Sequence, residues 1–364
     1  MIGSEHIMKK YKVGIIGATG MVGQRFVTLV AKHPWFELGV LAASPRSAGK
    51  AYRDAAHWQL KEPMPEQAAD MVVLDATADI DKIVSSVDFV FSAVNMPKQD
   101  IYDLELEYAK HECPVVSNNS AHRHDPDVPM VVAMVNPEHI SVVEQFRKRL
   151  GLKRGLIAVK SNCSIQSYVP ALHPLLCYRP TKVLACTYQA ISGAGKTFET
   201  WPEMIDNVIP YIGGEEEKSE LEPLKVWGKV GENGIINAEA PSITTQCIRV
   251  PVSDGHLAAV FVSFEQKPSI EEIKAKWESY RARPQALGLP SAPQKFIHYF
   301  EEPDRPQTRL DRELEGGMAV SVGRLREDKH YDYKFVSLSH NTLLGAAGGA
   351  VQLAELLCAE GYID

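Results

Sequence analysis

Between residues 12 and 120 short apolar runs alternate with helical periodicity: "KVGII" (12–16), "MVGQRFVTLVAKH" (21–33), "FELGVLAA" (36–43), "MVVL" (71–74), "DFVFSAV" (88–94) and "PVVSN" (114–118). Strands that read as almost unbroken apolar runs, separated by amphipathic helices, predict successive βαβ units on a parallel sheet covered on both faces. After the basic stretch "RKRLGLKRG" (147–155) the pattern changes. The runs "KVLACTYQAIS" (182–192), "ITTQCIRVPV" (243–252), "HLAAVFVSFE" (256–265), "MAVSVGRLR" (318–326) and "DYKFVSLSH" (332–340) alternate with period two, which predicts a mixed or antiparallel sheet with one face free for a partner surface. The chain therefore divides into residues 9–155, residues 156–340 and a C-terminal helix in 341–364, opened by Asn341 as N-cap and packed back on the first domain. The block "EEEK" (215–218) reads as the start of a solvated helix.

Glycines stand at 14, 17, 20 and 23, directly after the first strand and opening the first helix. Gly17, Gly20 and Gly23 supply a tight turn, a backbone that a pyrophosphate can approach, and room for helix against strand, as in a Rossmann-like dinucleotide fold. The spacing is G-x-x-G-x-x-G, so a merely tight βα turn is the alternative. At the end of the second strand, where an Asp or Glu would hold a ribose 2′-hydroxyl, the residues are Ser44, Arg46 and Ser47. That favours a 2′-phosphate, hence NADP, over NAD; a solvated loop cation is the plainer reading of Arg46.

Composition narrows the classes. A chain of 364 residues, 45% hydrophobic and 23% charged, holds about two ordinary domains of roughly 150 residues each. The net charge of −7 argues against nucleic acid as a partner. Six cysteines without a C-x-x-C pair point to a reducing compartment, the cytoplasm, and to no metal site. The first eight residues read as an extension without a secretory signal. The apolar stretch 341–363 is interrupted by Gln352 and Glu355 and is rich in Gly and Ala, so it predicts a close-packed helix rather than a membrane span.

The candidate chemistry begins at "SNCS" (161–164), where a β-like run (156–159) gives way to a helix-compatible pattern. Free cysteine is most often core filler. A helix starting near Cys163 would instead aim free N–H groups at its sulfur and lower the thiol pKa toward neutrality. A second polar island puts Arg249 and His256 around an S-D-G turn between two strands. A guanidinium fork orients a carboxylate, and an imidazole moves a proton at neutral pH.

These residues resemble those of aspartate-β-semialdehyde dehydrogenase, in its archaeal and fungal branch. The resemblance runs over nearly the whole chain and rests on "GATGMVG" (17–23), "ASPRSAGK" (43–50), "FSAV" (91–94), "SNNSAHR" (117–123), "SNCS", "QAISGAGK" (189–196), "IGGEEEK" (212–218), "RVPVSDGH" (249–256) and "HNTLLGAAGG" (340–349). It implies an α/β NADP-binding domain joined to an α+β catalytic and dimerisation domain, assembled as a homodimer or homotetramer. It further implies Cys163 as nucleophile, His256 as general acid/base, Gln189 as orienting residue and Arg249 as clamp on the substrate carboxylate. Glu215 would face the substrate amine, chosen over Glu216 and Glu217 by E-x-x-K spacing alone, while Lys218, Arg123 and Asn162 would line the phosphate and acyl site. Thr19, Met21, Val22, Ser92, Ser192, Gly193 and Asn341 would join the cofactor residues. The implied reaction is reduction of an acyl phosphate, L-aspartyl 4-phosphate, to the semialdehyde through a thioester. The rivals are malonyl-CoA reductase, built on the same scaffold, and an NADP-sensing protein in which Cys163 is packing.

Overall fold

The computed structural model describes residues 10–364, so the N-terminal extension lies outside the described residues. Seven strands form the first sheet: β1 (Tyr11–Ile16), β2 (Phe36–Ala43), β3 (Leu74–Asp75), β4 (Phe89–Ser92), β5 (Val115–Ser117), β6 (Met130–Val131) and β7 (Ile157–Lys160). Their order is β3-β2-β1-β4-β5-β7-β6, with every pair parallel. The chain winds outward from β1 to β3 and returns to β4. The carboxyl ends of β1 and β4 thus flank the point where the winding reverses, the usual ligand crevice of such sheets.

Both faces of this sheet are buried, which explains the unbroken apolar runs. Val13, Ile15, Phe89 and Phe91 turn one way and pack with Phe26, Val27 and the apolar residues of the C-terminal helix Gly348–Ala359. Ile16, Val90, Val115 and Val159 turn the other way and share one continuous core with Val183, Val260, Val262 and Phe335 of the second sheet. Side chains alternate across a strand, so one strand feeds two cores.

After β7 come β8 (Pro180–Gln189), a small hairpin of β9 (Lys229–Gly231) and β10 (Gly234–Ile236), then β11 (Ser242–Arg249), β12 (His256–Phe264), β13 (Ile297–Phe300), β14 (Val320–Glu327) and β15 (Tyr333–Ser339). The second sheet runs β11-β8-β12-β15-β14-β13 and is mixed, with β11/β8 and β13/β14 parallel and the other pairs antiparallel. Arg249 lies opposite Gln189 in the β11/β8 register. His256 starts β12 opposite Ser339. The ends of β8 and β11 and the start of β12 therefore converge at one end of this sheet.

Four expectations are corrected. The first sheet extends past residue 155, because Ile157–Lys160 pairs with β5 and β6. The chain after Cys163 is not one helix: a 3-10 turn (Ile165–Ser167), a helical turn (Val169–Leu172) and a second 3-10 stretch (His173–Tyr178) follow each other, with Pro170 and Pro174 withholding the N–H groups that a continuous helix needs. Asn341 does not cap the C-terminal helix, whose N-cap is Ala347. Its amide is spent on Gly255 and Ser192, described below. The helix Glu215–Val226 is not simply solvated: Glu215, Ser219, Glu222 and Val226, spaced by three or four residues, are buried on one face. Pro223 frees the Ser219 carbonyl in that helix, and the Tyr168 hydroxyl donates to it. Among the described residues no helix is long and apolar enough to cross a membrane.

Candidate active site

Cys163 sits just past the carboxyl end of β7, partly buried, with its Sγ 3.5 Å from His256 Nε2. These residues are separated by 93 positions, and the two sheets bring them together. The backbone N–H of Ala190 donates to His256 Nδ1 at 3.1 Å. An N–H facing Nδ1 leaves that nitrogen as acceptor, so the ring hydrogen resides on Nε2 and points to the sulfur side. Burial, helped by the nearby Arg249 and His340 charges, pushes the imidazole pKa well below its usual value. With Nδ1 accepting, His256 is placed to donate from Nε2 toward the sulfur side.

Burial also raises the Cys163 thiol, and Glu215 adds to that, while Lys160, Arg123 and Arg249 pull it back down. No helix start of useful length lies behind the sulfur, and the expected lowering from that source is absent. The Ser164 N–H is taken by Asn162 Oδ1 at 2.6 Å. Cations, rather than a helix end, are what favour the thiolate here.

Around this pair the remaining candidates form a connected set. Arg249, buried, donates from Nη1 to Ala190 O at 2.7 Å. Gly193 lies against it: a Cβ there would come within 3.0 Å of Arg249 Nη1 and 3.1 Å of His256. Gln189 ends β8 one residue before Ala190 and donates to Thr187 Oγ1. Asn162 Nδ2 donates to Glu215 Oε1 at 3.0 Å, and Lys218 Nζ donates to the same oxygen at 3.0 Å. Glu216 turns away toward Gln246 and Cys247, and Glu217 is exposed, so of the three glutamates only Glu215 faces Asn162. Arg123 donates from Nη1 to Glu222 Oε1 at 2.8 Å and from Nη2 to Asn118 O, while its buried Nε has no partner among the described residues.

Three participants escaped the sequence reading. Glu222 is buried, pairs with Arg123 and accepts the Asn162 N–H at 2.5 Å; its spacing of seven from Glu215 was the available signal. His340 lies near enough to His256 to disfavour its charge. Lys160 is fully buried in the last position of β7, and a lysine closing an apolar strand just before "SNCS" was the visible anomaly.

The glycine loop provides a cradle that fits a dinucleotide. Gly17 has φ +85°, and a Cβ on it would fall 2.4 Å from Ala93 O; one on Gly23 would fall 2.1 Å from Gly17 O. Gly20 meets nothing closer than 3.7 Å, so its lack of a side chain leaves open space in front of the helix Met21–Ala31. That helix has no side-chain cap and no acid in its first turn, which suits a pyrophosphate. Thr19, Met21 and Val22 border the loop, half-buried. Ser44 and Arg46 are exposed beyond β2 with Ser47 half-buried, and Arg46 makes no ion pair among the described residues. Ser92 ends β4, where its hydroxyl accepts from Asn119 Nδ2. Asn341 ties the two halves of the site together: its Oδ1 accepts from Gly255 N–H at 2.7 Å and its Nδ2 donates to Ser192 Oγ at 2.9 Å. The segment Leu343–Ala347 packs against the helix Met21–Ala31, and a Cβ on its Gly345 would lie 3.1 Å from Cys163 Cβ.

Family profiles and named relatives match the chain over nearly its full length. A family profile described as semialdehyde dehydrogenase, NAD binding domain, matches residues 12–143, and one described as semialdehyde dehydrogenase, dimerisation domain, matches residues 172–344. The chain is 43% identical to an aspartate-semialdehyde dehydrogenase of Aspergillus fumigatus, over 97% of this chain and 99% of that protein, and 42% identical to one of Methanothermobacter thermautotrophicus, over 95% and 98%. The fold superposes on the crystal structure of the Candida albicans enzyme with NADP at a TM-score of 0.88, with 41% identity over 98% of this chain and 100% of that one. A complex of the Vibrio cholerae enzyme II with ASA matches at 0.74 and 26% identity, over 96% and 98%. With fungal and archaeal relatives alike over essentially its full length, and the cysteine, imidazole and guanidinium gathered at converging strand ends, the chain belongs to the aspartate-semialdehyde dehydrogenase family.

Proposed function

We propose that this chain interconverts L-aspartyl 4-phosphate and L-aspartate 4-semialdehyde with NADP, through a thioester on Cys163. The observation that carries the reading is the 3.5 Å approach of Cys163 Sγ to His256 Nε2 beside the buried Arg249. In the biosynthetic direction the Cys163 thiolate attacks the acyl carbon, a C–S bond forms, and the C–O bond to phosphate breaks with its electron pair leaving on phosphate. Arg123 and Lys218 meet that dianion, and Asn162 orients the acyl group. Bound NADPH supplies the hydride that reduces the thioester carbonyl. His256 donates from Nε2 to the carbonyl oxygen as it becomes an oxyanion, then the C–S bond breaks and the sulfur leaves as thiolate. Arg249 grips the substrate α-carboxylate, Glu215 faces the amine and Gln189 holds the acyl group in register. Gly17, Gly20 and Gly23 with Thr19, Met21 and Val22 cradle the pyrophosphate, Ser44, Arg46 and Ser47 take the 2′-phosphate, and Ser92, Ser192, Gly193 and Asn341 border the nicotinamide side.

The assembly is a homodimer or homotetramer, a reading supported by the exposed Ile205, Val208 and Tyr211 in the segment that precedes the helix Glu215–Val226. Six unpaired thiols suit the cytoplasm. The deciding assay is NADP⁺ reduction with aspartate semialdehyde plus phosphate, run beside malonate semialdehyde plus CoA. Turnover that depends on phosphate supports the reading; turnover that depends on CoA replaces it with malonyl-CoA reduction, and NADPH binding without turnover replaces it with sensing.

A further inference from the structure

Glu222 is a buried carboxylate, 2% exposed, with both oxygens engaged. Its Oε1 accepts from Arg123 Nη1 at 2.8 Å, and its Oε2 accepts the main-chain N–H of Asn162 at 2.5 Å. Among the described residues no other side chain is hydrogen-bonded to both Arg123 and Asn162. Asn162 immediately precedes Cys163. One carboxylate thus links the cation assigned to phosphate with the backbone that carries the sulfur, across sequence separations of 99 and 60 positions.

Helical spacing explains why this residue makes the link. Glu215, Lys218, Glu222 and Lys225 recur at intervals of three and four along one side of the helix Glu215–Val226. Toward its start, Glu215 accepts from Asn162 Nδ2 at 3.0 Å. One turn beyond Glu222, Lys225 Nζ donates to the carbonyls of Arg123, Asp125 and Val128 at 2.8, 2.6 and 3.0 Å. Lys225 therefore fixes the main chain at Arg123, and Glu222 fixes its side chain. Of the guanidinium N–H groups, one goes to Glu222 and one to Asn118 O, and the others have no protein partner among the described residues. We propose that Glu222 is a positioning residue for the phosphate half of the reaction: it aims Arg123 at the phosphate by holding that guanidinium in register with the Asn162–Cys163 backbone. A carboxylate suits the task because it accepts from a guanidinium and an amide together and carries the charge that a buried guanidinium needs. It makes no hydrogen bond to Cys163 or His256 among the described residues, so it acts through Arg123 and Asn162.

This rests on the reading of the site as one for phosphate and aspartate semialdehyde, and the experiment separates the two. Glu222→Gln keeps the shape and leaves a carbonyl oxygen for the Asn162 N–H, but turns an NH2 donor toward Arg123 Nη1, so it breaks chiefly the guanidinium arm. NADP⁺ reduction with aspartate semialdehyde is followed in wild type, Glu222→Gln, Arg123→Ala and the double variant, with inorganic phosphate varied. Glu222→Gln is expected to raise KM for phosphate about tenfold and to leave KM for aspartate semialdehyde within about twofold. First-turnover NADPH formation, which precedes phosphate attack, is expected to stay within about twofold of wild type. In the double variant Glu222→Gln should add less than about twofold to the effect of Arg123→Ala, because a residue that acts through another has nothing left to act on. An unchanged phosphate KM in Glu222→Gln overturns the proposal, as does a collapse of the first turnover or a full multiplication of the two effects in the double variant. Should Glu222→Gln not fold, since it leaves a buried guanidinium without its anion, Glu222→Asp, which keeps the charge and withdraws the carboxylate by one methylene, is read by the same criteria. Wild-type turnover that is independent of phosphate overturns the functional reading and this proposal with it; phosphate-dependent wild type with an unaffected Glu222 variant overturns the positioning role alone.

Discussion

Arg249 shows how much of a side chain's role is decided by what its neighbours withhold. Its Nη1 is anchored on Ala190 O, and Gly193 presses close enough that any larger residue would displace the guanidinium or the His256 ring. A planar fork held this way presents two parallel N–H donors to a carboxylate, which an ammonium on a flexible stem does not. Arg249→Lys is therefore expected to raise KM for aspartate semialdehyde by about tenfold or more with a smaller effect on kcat; an unchanged KM in steady-state assays removes the clamp. Arg46 is the opposite case, an exposed side chain with no protein partner among the described residues. Arg46→Ala should leave stability untouched and narrow the preference for NADP over NAD, measured as the ratio of kcat/KM values for the two cofactors. Both residue types were legible from the sequence. The tautomer of His256 was not, because it depends on one backbone N–H donated across 66 positions.

Short connections carry most of the precision in this site. The turn after β11 delivers His256 at the start of β12, and the 3-10 stretch Ile191–Ala194 follows β8; Asn341 bridges the two by accepting from Gly255 N–H and donating to Ser192. Asn341→Ala would leave a buried N–H without a partner and free both loops. The expected result is a stability loss of about 1–3 kcal/mol and a fall in kcat larger than the rise in KM, checked by denaturant titration and by steady-state kinetics. Asn341 stands near a helix start without capping it, since a side-chain amide near a helix pattern has the same local signature whether it bonds forward or across the fold. The helix Glu215–Val226 misled in the same manner. A charged run reads as solvated, but Glu215 and Glu222 lie on the one stripe that faces Asn162 and Arg123.

Across the whole molecule, acid sensitivity should be concentrated in buried imidazoles. His173 lies in the second domain with its ring edge-on to Tyr280, whose hydroxyl donates to Met134 O of the first domain. Its Nδ1 has no partner among the described residues, and burial lowers its pKa to about 4. Between about 6.5 and 4 the unfolded chain therefore binds a proton at this position that the folded chain does not. Stability rises with pH in that window and is lost as pH falls through it. His256 acts in the same direction. His173→Phe should accordingly flatten part of the decline in thermal midpoint between pH 6.5 and 4.5 while leaving the midpoint at pH 8 nearly unchanged; an unaltered slope in scanning calorimetry would refute the attribution.

Alternating apolar runs, the spaced glycines and the missing acid after β2 are local properties, set by side-chain periodicity and backbone sterics within a few residues, so a parallel α/β domain with a dinucleotide loop could be read directly from the order of amino acids. The cysteine, arginine and histidine could be nominated from their types and surroundings. Their ionisation could not. Whether a thiol, an imidazole or a lysine carries charge depends on how deeply it is buried and which groups from distant segments lie beside it, and those quantities exist only once the sheet that holds β7 and the sheet that holds β8, β11 and β12 have come together. That is why Lys160, unremarkable as a letter before "SNCS", emerges as a buried ammonium whose one hydrogen bond goes to a backbone carbonyl.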